Sequence, residues 1–422
     1  MSSAEWMVLR GGTVIDGTGA GPRKDSVILV KNDRIFEVAD KGSFRLPEEP
    51  IRVFDTEGKF LLPGLIDAHT HVQDSGKESE ASLLHEVLPY KALRAASHAQ
   101  RTLEAGFTTV RDLGAELWLD VGLRDAIQDG IVKGPRMQVS GFKITSTGTD
   151  FPVFPPEVRV LGRETMDSPK EVRKAVRTLL AMGVDWIKVM TSGRTYRKSS
   201  SPDALGLTLE ETRVAVEEAK NQGRKVSAHA HGNRGVKTAL EAGCDSIEHG
   251  TVLDERDLEE MARRQIFLVP TLSYGKRLEK LGASSGLPSY VVEKALNSRR
   301  LRLQSFSRAL SMGVKIALGS DSGMPFVYHG ENAFELAAMV DAGMSSLQAI
   351  QAATKSAAEL LGLSDQVGTL GAGKWADILV VEGNPLEDIA VLQNLANISA
   401  VFQAGNLMVD RGISSGNKAL VR

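Results

Sequence analysis

Five of the chain's eight histidines, one lysine and one aspartate stand where apolar, strand-like runs end. They are His69 and His71 in "GLIDAHTHV", Lys188 in "DWIKVMTSG", His229 and His231 in "KVSAHAHG", His249 in "SIEHG" and Asp321 in "ALGSDSG". In a strand, residues i and i+2 point to one face, so His69 and His71 aim together as a chelate for one cation. Imidazole and carboxylate together suit zinc, and manganese, iron or cobalt can substitute. Lys188 is the anomaly. Trp186, Ile187, Val189 and Met190 read as a buried strand, and an ammonium among them costs several kcal/mol unless something compensates it. The bland reading is a buried stem with its ammonium reaching water. The chemical reading is a neutral amine that takes up carbon dioxide as a carbamate, an anion with one oxygen for each of two metal ions. Two such ions sharing a water bring its pKa from 15.7 toward about 7, which supplies hydroxide at neutral pH.

The elements that must position these residues repeat one local phrase. A helical pattern closes on Gly and an apolar strand follows: "TLEAG" into 107–114, "LLAMG" into 184–193, "AKNQG" into 224–232, "ALEAG" into 244–250 and "ALSMG" into 314–323. The Gly is the expected left-handed residue past a helix end. Continuous apolar strands fit a parallel sheet covered on both faces. Residues 61–72, 135–142 and 265–273 complete eight. Between them, 168–183 opens on a Ser168 cap followed by Pro169, and 208–223 on a Thr208–Glu211 capping box. Eight alternating strands and helices predict an α/β chain with a (β/α)8 barrel over 62–364. A doubly wound open sheet is the alternative. Both ends, 1–61 and 365–422, read as short strands and turns without crossover helices, and are expected to form a small β-sandwich together.

At this point the chain resembles the amidohydrolase superfamily along its whole length. "PGLIDAHTHV" resembles that family's first-strand signature, "WIKVM" its carboxylated-lysine strand, "VSAHAHG" and "SIEHGT" its fifth- and sixth-strand histidines, and "LGSDSG" its eighth-strand aspartate. "GFTTVRDLG", "SIEHGT" and the Lys188 strand are most similar to the imidazolonepropionase-like and prolidase-type branch. The resemblance implies one metal on His69, His71, Lys188 and Asp321, and a second on Lys188, His229 and His249. His229 and His231 compete for the fifth-strand place. The family's ligand is the first histidine after the strand's apolar core, which selects His229 and leaves His231 to face the substrate. Asp321 then moves a proton from the attacking water to the leaving nitrogen, alongside the modified Lys188. Two departures argue against a peptide substrate: 143–156 holds no histidine where relatives often carry Gly-Gly-His, and His231 stands where a tyrosine is common.

Substrate choice falls to the loops. In "GRTYRKSSSPD" (193–203), Arg194 and Tyr196 are candidates to bind a substrate carboxylate. In "MPFVYHGEN" (324–332), Tyr328 and His329 are candidates to line the pocket. His85 and His98 lie in a helical stretch and read as surface or half-buried. The expected reaction is hydrolysis of an amide-type C–N bond in a dipeptide, N-acyl amino acid, carbamate or urea. The alternatives are a deaminase or a lactam or lactone hydrolase on a cyclic substrate, against which Lys188 argues, and a non-catalytic scaffold.

Bulk properties agree with a small-molecule enzyme. The 422 residues are 42% hydrophobic and 25% charged, with a formal net charge of −2, so no basic excess points to nucleic acid. Apolar runs fall far short of the ~20 residues of a membrane span. The N-terminus shows no charged region followed by an apolar stretch, so no signal peptide is expected. The single cysteine, Cys244, excludes an intrachain disulfide and reads as a small buried hydrophobe. A cytoplasmic homo-oligomer is the expectation.

Overall fold

The computed structural model describes residues 5–40, 42, 44–76, 86–149, 162, 164–194 and 201–413. Two compact units emerge. One comprises Met1–Asp67, Gln100–Thr109 and Gly330–Arg422; the other comprises Ala68–Ala99 and Val110–His329.

The first unit carries β1 (Trp6–Val14), β2 (Arg23–Lys31), β3 (Arg34–Asp40), β4 (Ile51–Asp55) and β5 (Phe60–Pro63). The chain returns to it for Ile378–Val381, Ile398–Gln403 and Asn406–Asp410. These strands form one branched eight-stranded sheet, where the sequence suggests a two-sheet sandwich. The branch has a local cause. β1 pairs in parallel with β4 through Trp6–Arg10 and with β5 through Thr13 and Val14, and its pairing with β2 shifts register between Arg10 and Val14. Alternate residues still serve two faces. Leu9, Ile28 and Phe402 join one apolar cluster; Trp6, Val8, Val27 and Leu29 join another.

The second unit carries the strand ends of interest. β6 (Leu65–Thr70) and β7 (Phe107–Asp112), whose C-terminal halves from Ala68 and Val110 belong to this unit, form a three-stranded sheet with β8 (Arg136–Val139). β9 (Trp186–Met190), β10 (Lys225–Ala230), β11 (Ser246–His249) and β12 (Phe267–Val269) form a four-stranded parallel sheet in the order β12-β11-β10-β9. Every residue of β6, β7 and β9 is buried, as strands covered on both faces require. Past β8, the Ile144 amide donates to the Lys188 carbonyl (2.8 Å) and the Met190 amide to the Ile144 carbonyl (2.9 Å).

The expected eighth strand is not a ladder. Residues 315–322 touch β12 and β6 through isolated bridges and single bonds, such as the Asp321 amide to the His69 carbonyl at 2.9 Å. The ladders therefore do not close eight strands into a barrel. Regular pairing fails here because Gly319 lies so close to β6 that a Cβ would meet the His69 Cβ at 2.7 Å, and Asp321 turns left-handed (φ 61°). The helices follow their sequence signals. Ser168 caps Pro169–Ala181, and Thr208 and Glu211 form a capping box on Leu209–Asn221. The five phrase-ending glycines, Gly106, Gly183, Gly223, Gly243 and Gly313, all have positive φ. No described helix is long and apolar enough to cross a membrane.

Candidate metal centre and active site

His69, His71, Lys188, His229, His249 and Asp321 all line one cavity, and His231 joins them. Its volume is about 540 Å³ including the open mouth. Ligating atoms of His229, His231 and His249 lie within 4.8 Å of one another, as do those of His69, His249 and Asp321. Their backbones store strain that aims them. His249 and Asp321 both sit at positive φ (71° and 61°), costly for residues with a Cβ unless surrounding structure holds them there.

Each ring is held from behind. His69 Nδ1 donates to Glu248 Oε2 (2.7 Å), and its Nε2 lies 3.4 Å from Asp321 Oδ1. His71 Nδ1 donates to the Gly114 carbonyl (3.3 Å), with Nε2 also 3.4 Å from Asp321 Oδ1. His229 Nε2 donates to the Gly193 carbonyl (3.3 Å). His231 Nδ1 lies 2.8 Å from Thr251 Oγ1, and His249 Nδ1 lies 2.7 Å from Thr271 Oγ1. Burial is the largest influence on every ring. It lowers His69 to about 4 and takes His229, His231 and His249 well below 6.5, so the imidazoles are neutral with a lone pair to offer.

Lys188 is 1% exposed, and its Nζ has no hydrogen-bond partner among the described residues. Burial first, then Arg111 and Lys143, bring its ammonium down from 10.5 to about 7. Burial alone would raise the Asp321 carboxyl, but His69, His71 and Lys188 hold it below the usual carboxylate range. A cluster of neutral imidazoles, an ionised carboxylate and an orphaned amine fits a divalent metal centre better than it fits an empty polar cavity.

Several residues here escaped the sequence reading. Glu248 is fully buried, accepts from Arg111 Nη2 (2.9 Å) and Ser227 Oγ (2.8 Å), and orients His69. Arg111 itself stacks over Trp186, 4.3 Å from the ring centroid. Lys143, Tyr274 and Arg302 line the cavity, as do Met324 and Pro325. Arg194 also lines it and is buried. Tyr196 and His85 lie outside the described residues.

Three sequence expectations change. Tyr328 is 39% exposed and does not line the cavity. His329 is buried but turned away from it, with Nε2 donating to the carbonyls of His71 (3.1 Å) and Asp74 (3.2 Å). The cause is a backbone return: the Gly323 amide donates to the Val327 carbonyl and the Phe326 amide to the Gly76 carbonyl, so Met324 and Pro325 face inward instead. His98 is also buried. Its Nδ1 donates to the Val72 carbonyl (2.8 Å) and its ring stacks on His329 at 4.3 Å. Cys244 is buried as expected, and burial pushes its thiol up.

A model of the amidohydrolase family matches residues 60–408. The chain belongs to the amidohydrolase family. It is 32% identical to the ochratoxinase of Aspergillus niger over 437 aligned positions, covering 97% of this chain and 88% of that one. The crystal structure of a Xaa-Pro dipeptidase with methionine in its active site superposes with a TM-score of 0.86 at 34% identity, covering 96% of this chain and 99% of that one. An imidazolonepropionase of Streptococcus sanguinis is 24% identical over 92% of this chain and 91% of its own. This amidohydrolase falls in the imidazolonepropionase and prolidase-type branch and is a hydrolase acting on carbon–nitrogen bonds. The family is generally metal-dependent, and the His/Asp cluster of this member can hold a metal.

Proposed function

We propose that this amidohydrolase cleaves an amide-type C–N bond in a small substrate bearing a free carboxylate, an N-acyl amino acid before a dipeptide because 143–156 and His231 depart from the dipeptidase pattern, using two divalent ions, zinc first among them. Carbamates and ureas suit the same chemistry but leave the cationic wall unused. The observation that carries the reading is the buried, partnerless Nζ of Lys188 amid neutral imidazoles.

His69, His71, Lys188 and Asp321 would hold one ion; Lys188, His249 and either His229 or His231 would hold the other. When bound, the ions supply Lewis acidity for the carbonyl and acidify water. The neutral form of the Lys188 amine, about half of the population at pH 7, adds to carbon dioxide: an N–C bond forms, one N–H proton leaves, and an anion takes the place of the uncharged amine. Asp321, ionised at neutral pH, accepts the proton of the attacking water and returns it to the leaving nitrogen, which is otherwise a poor leaving group. Arg194 and Lys143 on the wall offer charge-assisted bonds to a carboxylate. The methionine bound by the dipeptidase relative is itself an amino acid carboxylate and supports the same class. The free, buried Cys244 accords with a cytoplasmic setting, where we place the enzyme as a homo-oligomer with no nucleic-acid or membrane partner.

The test is a matched panel on the zinc-loaded enzyme: N-acyl amino acids and dipeptides, the same compounds with the carboxylate capped as an amide, and carbamates and phenylureas. Free carboxylates should exceed their capped partners in kcat/KM by ~10-fold or more, the worth of one charged hydrogen bond. Equal rates contradict the reading.

A further inference from the structure

Arg302 comes from the helix Ser289–Ser311, yet it is buried at the cavity wall. Its Nε donates to Thr251 Oγ1 (3.2 Å), and its Nη1 to the Thr271 carbonyl (2.6 Å) and Thr271 Oγ1 (3.2 Å). Its Nη2 lies 3.4 Å from His231 Nδ1.

A guanidinium has only donors, and a threonine hydroxyl has a single proton. Accepting from Arg302 leaves the Thr251 hydroxyl able to donate or accept, as it leaves Thr271. What decides the His231 ring is Arg302 Nη2, whose N–H faces Nδ1 at 3.4 Å and needs a lone pair there, to which Thr251 can also donate. A protonated Nδ1 would instead face an Arg302 N–H. The other rings differ. His69 Nδ1 faces a carboxylate, while His71 Nδ1 and His229 Nε2 face carbonyls, which only accept. Those three rings carry their proton outward and keep a lone pair for a cation. His249 meets the Thr271 hydroxyl, which can accept or donate, so its ring keeps either arrangement.

We infer that Arg302 is a positioning residue that fixes the proton of His231 on Nε2, making that ring a hydrogen-bond donor to the substrate's carbonyl oxygen as it gains negative charge. His229 is then the fifth-strand metal ligand. The donor's target rests on the amide-hydrolysis reading; the proton's position does not.

The experiment is 15N spectroscopy of the metal-loaded enzyme labelled at histidine, with the His231 signals assigned by their loss in His231→Gln. The wild type should show Nδ1 as a bare, accepting nitrogen and Nε2 as N–H; a protonated Nδ1 overturns the proposal. Arg302→Met should move the proton onto Nδ1 in part or whole, and lower kcat by ~100-fold, the worth of one transition-state donor, with KM little changed. An unchanged spectrum in that variant removes Arg302 from the role. His231→Gln should keep both metal ions by elemental analysis, and loss of one makes His231 a ligand. Should Arg302→Met fail to fold, the wild-type spectrum and the His231→Gln metal content still decide. A correct spectrum in an enzyme that cleaves no amide sinks the functional reading and leaves Arg302's hold on His231 standing.

Discussion

Behind His69 stands a carboxylate, and behind His231 stands a guanidinium. Both rings line the same cavity, and both are neutral through burial. Glu248 accepts from its ring and leaves the inner nitrogen a lone pair. Arg302 donates toward its ring and leaves the inner nitrogen a proton. One residue type can thus be fitted for two jobs by the charge behind it: His69 would hold a metal ion, and His231 would donate a hydrogen bond.

The largest effect comes from removing the group both walls would share. Lys188→Ala should lose metal and activity together, with kcat down on the order of 10³-fold or more, read by elemental analysis and turnover. Full turnover without added short carboxylic acids contradicts the bridging role. Glu248→Gln should come next. It leaves the Arg111 guanidinium buried without its anion, which costs on the order of 3–5 kcal/mol in denaturant unfolding. Metal affinity should also fall by ~10–100-fold as His69 loses its orienting carboxylate. The sign with pH follows. Burial alone would raise the Glu248 carboxyl, but Arg111 and His69 hold it far below 4.5. Its stabilisation is present above about pH 4.5 and lost as the pH falls below that, so the gap between wild type and Glu248→Gln should narrow in acid.

Arg194→Met tests the mouth of the cavity. KM for free-carboxylate substrates should rise ~10–100-fold with kcat nearly unchanged, while capped substrates are unaffected. The smallest effect concerns loading. With Lys188 at about 7, metal-free enzyme given zinc and bicarbonate should activate about 10-fold more slowly for each pH unit below 7, because only the neutral amine adds carbon dioxide.

The strand ends were legible because buried parallel strands write continuous apolar runs, and a polar residue in such a run must have a purpose. The rule that singles out Lys188 also reaches Glu248 in "SIEHG" and Arg111 in "TTVRDLG". Arg302 was harder. It lies on the buried stripe of its helix with Val291, Ala295, Ser298 and Phe306, a signal visible only once the helix is phased. The eighth strand and the turn at Tyr328–His329 were not legible, since both depend on backbone angles and close approaches, at Gly319, Asp321 and Gly323, that no local pattern announces.

The central claim is that Lys188 becomes an anion between two metal ions. The direct measurement is 13C spectroscopy of enzyme loaded with zinc and 13C-bicarbonate, paired with elemental analysis of the same sample. A carbamate carbon, about one per chain, with two metal ions and loss of both signals in Lys188→Ala is the predicted result. A fully active, metal-replete enzyme without a carbamate carbon would contradict it.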